Sequence, residues 1–479
     1  MEIIIQHILA DAATIFLDYF QSNGISSLDK MADDLKLISD GMAARMLGAF
    51  IDAADESICD AKKERKEDGI KVHEHGVPRT LFTSLGFFTY NRTYFDCDTP
   101  AGRAYLLDDI LGVDPYERVD AGVSARLVNA AATHSYARSA AIAAGGNVSR
   151  QSSWNKAMNT GEVAYVPERA DYIPEAIHIF ADEDHVPLQD GSGTVVSLVT
   201  VCAGKRHVCK GRNELVDPFH VQGYGMDKET LWDYVYALCA EKFDLDRVGT
   251  VYVYGDGASW IRGSLDVFPN AVYVLDTFHF KKRMRSLFSG EVGAQFTLAA
   301  HTAVTKGDKV AFKATAQALM TAVLDTMPEG RAREKKAENI NDNIGYILNN
   351  WDAIQNAKLP GAIGSCTEAL VSHVLSDRLS RSPMGWSKKG LSKMAMIRVF
   401  ALNGGEVTPT DTLAWKHCDR RFRVSNRIEK YENIVWLQQE EVLKDAKNWR
   451  WFEVDSKISR KTTGTKIALD ALGKLRNVS

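Results

Sequence analysis

Seven cysteines, Cys59, Cys97, Cys202, Cys209, Cys239, Cys366 and Cys418, include no CxxC pair. Their odd number and scatter argue against a disulfide framework and a zinc finger, and fit a reducing cytoplasm. The nearest two, Cys202 and Cys209, are separated by a loop and make no metal motif. No apolar run is long enough to span a bilayer. The N-terminus, MEIIIQHILADAATIF, has neither a cationic n-region nor a small-residue cleavage site. Neither membrane insertion nor signal-peptide secretion is therefore expected. Charge of one sign is also lacking: 58 Lys and Arg stand against 62 Asp and Glu, a net charge of −4. A nucleic-acid partner would have to meet local basic patches, because there is no bulk positive field. No internal repeat or low-complexity tract is visible.

What is present is an ordinary globular composition over 479 residues, 45% hydrophobic and 25% charged. That length is too great for one compact core, and roughly three structural units are expected. Residues 1–60 have helical spacing, with Ile4, Ile8 and Leu9 followed by Phe16, Leu17 and Phe20, a Gly24 C-cap, and a second helix over about Met42–Ala54. Lys62–His75 reads as a charged linker. Arg79–Asp96, rich in Thr, Tyr and Phe and broken at Ser84–Gly86, predicts a β-hairpin. Its Arg79 and Arg92 are expected to be exposed, either as DNA contacts or as solvated residues.

Helical spacing then returns. A small-residue helix over Tyr136–Ala144, a glycine turn and a Ser-capped polar helix in GGNVSRQSSWNK form a helix-turn-helix pattern. The second helix would present Arg150, Gln151, Ser153, Asn155 and Lys156 to phosphates or base edges. Helix-glycine-helix corners also occur in proteins that never touch DNA.

Asn159–Glu175 reads as a linker into a new unit. Ala176–Gln189 is a strand carrying the acidic cluster Asp182, Glu183 and Asp184, and Thr194–Cys202 pairs back on it. Lys205, Arg206, Lys210 and Arg212 follow in a short basic loop suited to a polyanion, or simply solvated. After an amphipathic helix over Lys228–Glu241, the stretch Val251–Phe280 gives two buried strands. The first ends in Asp256-Gly257 and the second in Asp276-x-x-His279. Ligands in open α/β sheets bind at the carboxyl ends of strands. The order strand, strand, helix, strand, helix, strand matches an RNase H-like core, a mixed α/β class.

Residues 281–360 carry only helical patterns and read as an all-α insertion. Gly364-Ser365-Cys366-Thr367-Glu368 then opens another helix, in which Ser365 and Glu368 could form a capping box. The chain ends in an aromatic helix near Tyr431–Leu443 and a basic tail with Lys457, Arg460, Lys461, Lys466, Lys474 and Arg476. The expected divisions are 1–75, helical; 76–165, hairpin plus helix-turn-helix; 170–280 and 361–400, the core, split by the insertion 281–360; and 401–479, helical with the basic tail.

Two-metal phosphoryl transfer on DNA needs carboxylates that hold Mg²⁺ ions roughly 4 Å apart. Asp182, Asp256 and Glu368 occur where this fold would bring such ligands together. Each has a bland alternative: Asp184 shares the strand face of Asp182, Asp256-Gly257 suits a tight turn, and Glu368 suits the capping box. Asp276 and His279 could bind metal, orient the site or make a strand-end contact.

The segment DGASWI…FPNAVYVLDTFH resembles the Mutator-like DDE transposases, in which a DG turn is followed by FP, a strand and a C/D-x-x-H signature. The ordered blocks ADEDHVPLQ, GRNELV, GYGMD, YVYGDGASWI, YVLDTFHFKK and GSCTEALVSHVLSDRLSRSPMGWS resemble the ISLre-type insertion-sequence transposases, a bacterial group long filed as an uncharacterised protein family. The likeness runs from the hairpin near Arg79 to beyond Trp386. It implies Asp182, Asp256 and Glu368 as the DDE triad, with two Mg²⁺ ions (or Mn²⁺). It also implies DNA partners, the terminal inverted repeats and the target, and a cytoplasmic, nucleoid-associated location. Two element ends must meet, so a homodimer or larger synaptic assembly is expected.

Overall fold

The computed structural model describes residues 2–97, 102–381, 385–413 and 429–436. The fold is mixed α/β, with a mainly helical N-terminal region ahead of a mixed sheet. The basic tail and Cys418 lie outside the described residues, as does Leu443 at the end of the aromatic helix, of which Glu429–Trp436 is helical.

The N-terminal region begins with helices Glu2–Asn23 and Leu28–Asp60, the second far longer than the expected Met42–Ala54. The expected linker Lys62–His75 is instead a short helix, Lys62–Glu67, followed by strand β1 (Lys71–Thr83). Backbone pairing overrides the weak side-chain pattern here: β1 runs antiparallel to β2 (Gly86–Asp96) from Lys71 opposite Asp96 onward. A two-residue strand, β3 (Arg103–Ala104), completes this sheet.

Arg79 and Arg92 are not exposed on the hairpin. Each is 8% exposed, and both pair with the buried Asp108 carboxylate, which also accepts the Tyr90 hydroxyl at 2.7 Å. Arg79 further donates to the Asp114 and Glu117 carbonyls at 2.6 and 2.9 Å. Two guanidiniums on β-strand positions found a buried counter-ion, and a buried charge must be paired. They are unavailable to DNA.

Helices Ala121–Thr133, Tyr136–Ala144 and Arg150–Asn159 pack together. Gly145 ends the second at φ +57°, and Ser149 caps the third by accepting the Ser152 N–H. This unit is tied firmly to the rest of the molecule. Arg378 donates to the Ala131 carbonyl at 2.8 Å and Arg398 to the Ala132 carbonyl at 3.0 Å, so two buried cations meet the negative end of the first helix.

The central sheet has five strands, in the spatial order Ala271–Leu275, Thr250–Gly255, Ala176–Pro187, Gly193–Cys202 and Phe219–Gln222. Strands β4 (Ala176–Pro187), β5 (Gly193–Cys202) and β8 (Phe219–Gln222) form an antiparallel meander. Strands β9 (Thr250–Gly255) and β10 (Ala271–Leu275) add parallel to β4. Between β5 and β8, the expected basic loop is a two-stranded arm, β6 (Gly204–Cys209) and β7 (Arg212–Val216). Strand alternation gives the sheet two faces. Ile177, Ile179, Val251, Val253 and Tyr273 face helix Lys228–Lys242 and the helices of 277–356. Phe180, Tyr254 and Val274 face the other way, toward Ala362, Cys366 and Leu370.

Candidate metal centre

The register of the parallel strands aligns the acids. Phe180 lies opposite Tyr254, and Leu275 opposite Gly255. Continuing those rows puts Asp182, in the middle of β4, beside Asp256 and Asp276, which directly follow the carboxyl ends of β9 and β10. Adjacent strands are about 4.8 Å apart. By alternation all three share the face of Phe180, Tyr254 and Val274, the face against which Cys366 and Leu370 pack. Glu368 lies between those two packed residues and is exposed, so the same packing carries it to the strand ends.

Asp182, His279 and Glu368 offer ligand atoms all within 4.8 Å of one another. Burial pushes the Asp182 carboxyl up to about 6; the Glu183 N–H at 2.8 Å opposes the rise, and the charges of Asp256 and Asp276 add to it. A half-buried acid facing two other acids is a place where a cation is favoured. His279 Nε2 is buried and lacks a hydrogen-bond partner among the described residues. An orphaned imidazole nitrogen beside two carboxylates is the donor set a divalent ion would complete, and this arrangement fits one.

Asp256 stands at the tip of a rigid turn. Its carboxylate accepts the Ala258 N–H at 2.9 Å, and its carbonyl accepts the Tyr346 hydroxyl. Gly257 has φ +99°, and a Cβ there would meet the Asn350 side chain at 3.0 Å. Its N–H donates to the Tyr273 hydroxyl at 2.7 Å. Helix Arg331–Asn349, which carries Tyr346, thus helps to hold this acid.

Asp276 is 2% exposed and fully engaged. It caps helix Thr277–Leu287 by accepting the Phe278 and His279 N–H groups at 2.6 and 3.3 Å. It also accepts the hydroxyls of Ser365 and Thr367, immediately before Glu368. The expected capping box does not form. Ser365 turns its hydroxyl to Asp276, and helix Thr367–Val371 has no side-chain cap. Glu368 is thereby left to face the strand ends. A π-helical turn, Ser372–Ser376, follows.

Asp184 is occupied elsewhere. It is 7% exposed and accepts the hydroxyls of Ser376 and Ser380 at 3.0–3.1 Å. It anchors the helix that follows Glu368, which argues for Asp182 over Asp184 at the cluster.

The basic arm and the polar helix lie outside the cluster. Lys205, Arg206, Lys210 and Arg212 are all exposed, with Arg206 paired to Glu214 at 3.0 Å. Arg150, Gln151 and Asn155 are exposed, but Ser153 is fully buried and Lys156 is paired with Glu117 at 2.7 Å. The expected contact roles of those two are corrected: helical periodicity turns Ser153 into the core, and a local acid neutralises Lys156. Trp154, 39% exposed, lies on the outer face instead.

Together these features define a mixed α/β protein with a carboxylate–histidine cluster at the carboxyl edge of its sheet. The chain belongs to the uncharacterised protein family UPF0236, whose model matches residues 21–413. One UPF0236 protein of Caldanaerobacter subterraneus subsp. tengcongensis is 32% identical over 411 residues, covering 85% of each chain. A second from the same organism is 32% identical over 383 residues, covering 80% of each. Among solved structures, the Drosophila P element transposase strand transfer complex matches with a TM-score of 0.22 and 13% identity, over 62% of this chain and 85% of that one. No described helix is long and apolar enough to cross a membrane.

Proposed function

We propose that this chain is a DDE transposase of the ISLre type, with an RNase H-like catalytic core. The observation that supports the reading is that Asp182, His279 and Glu368 offer ligand atoms within 4.8 Å of one another, with Asp256 beside Asp182 on the neighbouring strand row of a five-stranded mixed sheet. Residues separated by 186 positions of sequence converge on one point, which a set of isolated turns and caps would not produce.

Asp182, Asp256 and Glu368, with His279 beside them, would hold the divalent ions. The acids suit Mg²⁺ or Mn²⁺, and the imidazole is better matched to Mn²⁺. Bound there, such ions supply Lewis-acid activation of a phosphoryl group and of the attacking oxygen. The protein's own part is positioning. Asp276 orients His279 and the segment leading to Glu368, and Tyr346 with Tyr273 fixes the Asp256 turn. The exposed cations of the β6–β7 arm and the outer face of helix Arg150–Asn159 would take backbone phosphates of the element ends. First water and then a freed 3′-hydroxyl would attack in line, with two copies of the chain holding the two ends.

The name of the first relative joins eleven designations under one protein. Many copies of one protein in one organism are what a self-mobilising element leaves behind. The test is a joining assay: DNA flanking the gene, labelled at the 3′-end, is incubated with the protein, Mn²⁺ and target plasmid. Cleaved and joined products are expected. Cleavage without joining would make the protein a nuclease, and no cleavage of either flank would sink the reading.

A further inference from the structure

Helix Thr277–Leu287 carries a second feature that the metal centre does not use. Phe280, Met284 and Leu287 pack inward, and Arg283 lies 4.6 Å over the Tyr346 ring. The opposite stripe, at i, i+3, i+4 and i+7, is Phe278, Lys281, Lys282 and Arg285. All four are exposed, Phe278 by 50%. None of the three cations has a carboxylate partner among the described residues. Favourable interaction with the helix dipole accounts for Arg285 in the last turn. It does not account for the two mid-helix lysines, or for an exposed phenylalanine in the first turn. The stripe begins at the residue next to His279, whose ring meets that of Phe278 edge-on at 5.5 Å between centroids. Along the helix, Lys281 and Arg285 are about 6 Å apart.

We infer that this stripe is a single-strand DNA platform flanking the reacting phosphate, with Phe278 stacking on an unpaired base and Lys281, Lys282 and Arg285 contacting the adjoining phosphates. An aromatic face interleaved with unpaired cations is the surface that binds single strands with little sequence preference. Its place beside the metal cluster gives it a use. An attacked phosphate needs its neighbouring nucleotide held out of the duplex, and a base taken out of the stack needs a new face to lie on. The inference rests on the DNA-cleaving reading above, so it is tested without cleavage.

Fluorescence anisotropy of the full chain would be measured in EDTA with a fluorescein-labelled single-stranded oligodeoxynucleotide about 20 nucleotides long, and with its duplex. Phe278→Ala is expected to weaken single-strand binding about tenfold, leave duplex binding within about twofold and not change the salt dependence, with Phe278→Trp restoring affinity. The triple variant Lys281→Gln/Lys282→Gln/Arg285→Gln is expected to lower the slope of log K against log salt by about 2. A control of three exposed lysines elsewhere, Lys306→Gln/Lys309→Gln/Lys313→Gln, is expected to change it much less. Wild-type single-strand affinity in Phe278→Ala, or an equal loss of slope in the control, would overturn the assignment. Because no metal is present, a failure of the cleavage reading would leave these results unaffected, and the reverse also holds.

Discussion

The Asp276 carboxylate accepts the Ser365 hydroxyl at 2.5 Å, across 89 residues of sequence. That contact joins the end of β10 to the segment that delivers Glu368, while the same carboxylate caps the helix that delivers His279. One buried acid thus sets the position of two members of the cluster without being exposed to a ligand itself.

Asp276→Asn keeps the size of the side chain but removes the charge that its four donors share. The variant is expected to fold, with an Mn²⁺ affinity lower by roughly 10- to 100-fold, the range typical of groups that orient metal ligands. Isothermal titration calorimetry measures it. An unchanged affinity would reduce Asp276 to a helix cap.

His279→Ala removes the orphaned imidazole nitrogen. Mn²⁺ binding should weaken at least about tenfold, whereas the melting temperature should hold or rise, because a buried atom without a partner is deleted. Electron paramagnetic resonance of the bound Mn²⁺ should lose any nitrogen hyperfine coupling. A wild-type spectrum from the variant would exclude His279 as a ligand.

Asp184→Ala separates the two neighbouring acids of β4. It leaves the Ser376 and Ser380 hydroxyls without their acceptor, so chemical denaturation should report a loss of about 1–3 kcal/mol. Metal affinity should stay within about twofold, since Asp184 points at the anchoring helix. A stable variant that no longer binds metal would reverse the assignment of Asp182 and Asp184.

His178 supplies a pH test away from the cluster. It is 3% exposed, hydrogen-bonded to the Tyr254 hydroxyl at 3.1 Å and stacked on Tyr252. Burial, with a smaller contribution from Lys205, lowers its pKa from 6.5 to about 4. The unfolded chain therefore binds more protons between these values, and stability is lost as pH falls from about 6.5 toward 4. At about 1.4 kcal/mol per unit, the loss is on the order of 3 kcal/mol. His220, lowered to about 4 mainly by burial, adds a similar slope. His178→Gln should flatten the acid limb of the denaturation midpoint by about half; an unaltered limb would contradict this.

The sheet was legible in the sequence because its strands are apolar runs ended by acid-glycine or acid-hydroxyl turns. The acids at those ends could be picked out for the same reason. The link from Asp276 to Ser365 and Thr367 was not, because local spacing gave Ser365 an equally good use as a helix cap. Arg79 and Arg92 misled because a β-strand alternation says which face a side chain takes, not whether a buried Asp108 waits there. Lys62–His75 read as a linker because its strand is held by backbone pairing with β2, a long-range term that composition does not carry. Asp184 and Asp182 could not be told apart by alternation, which puts them on one face. Only the later helix, with Ser376 and Ser380, distinguishes them.

In the proposed function, Asp256 and its two partner acids carry metal-dependent cleavage of DNA. Asp256→Asn preserves the turn, since an amide oxygen can still accept the Ala258 N–H. The most direct measurement is cleavage of the DNA flanking the gene in Mg²⁺ or Mn²⁺, alongside binding of the same fragment in EDTA. Asp256→Asn is expected to bind like the wild type and to lose cleavage by at least about a thousandfold. Cleavage at the wild-type rate by this variant would contradict it.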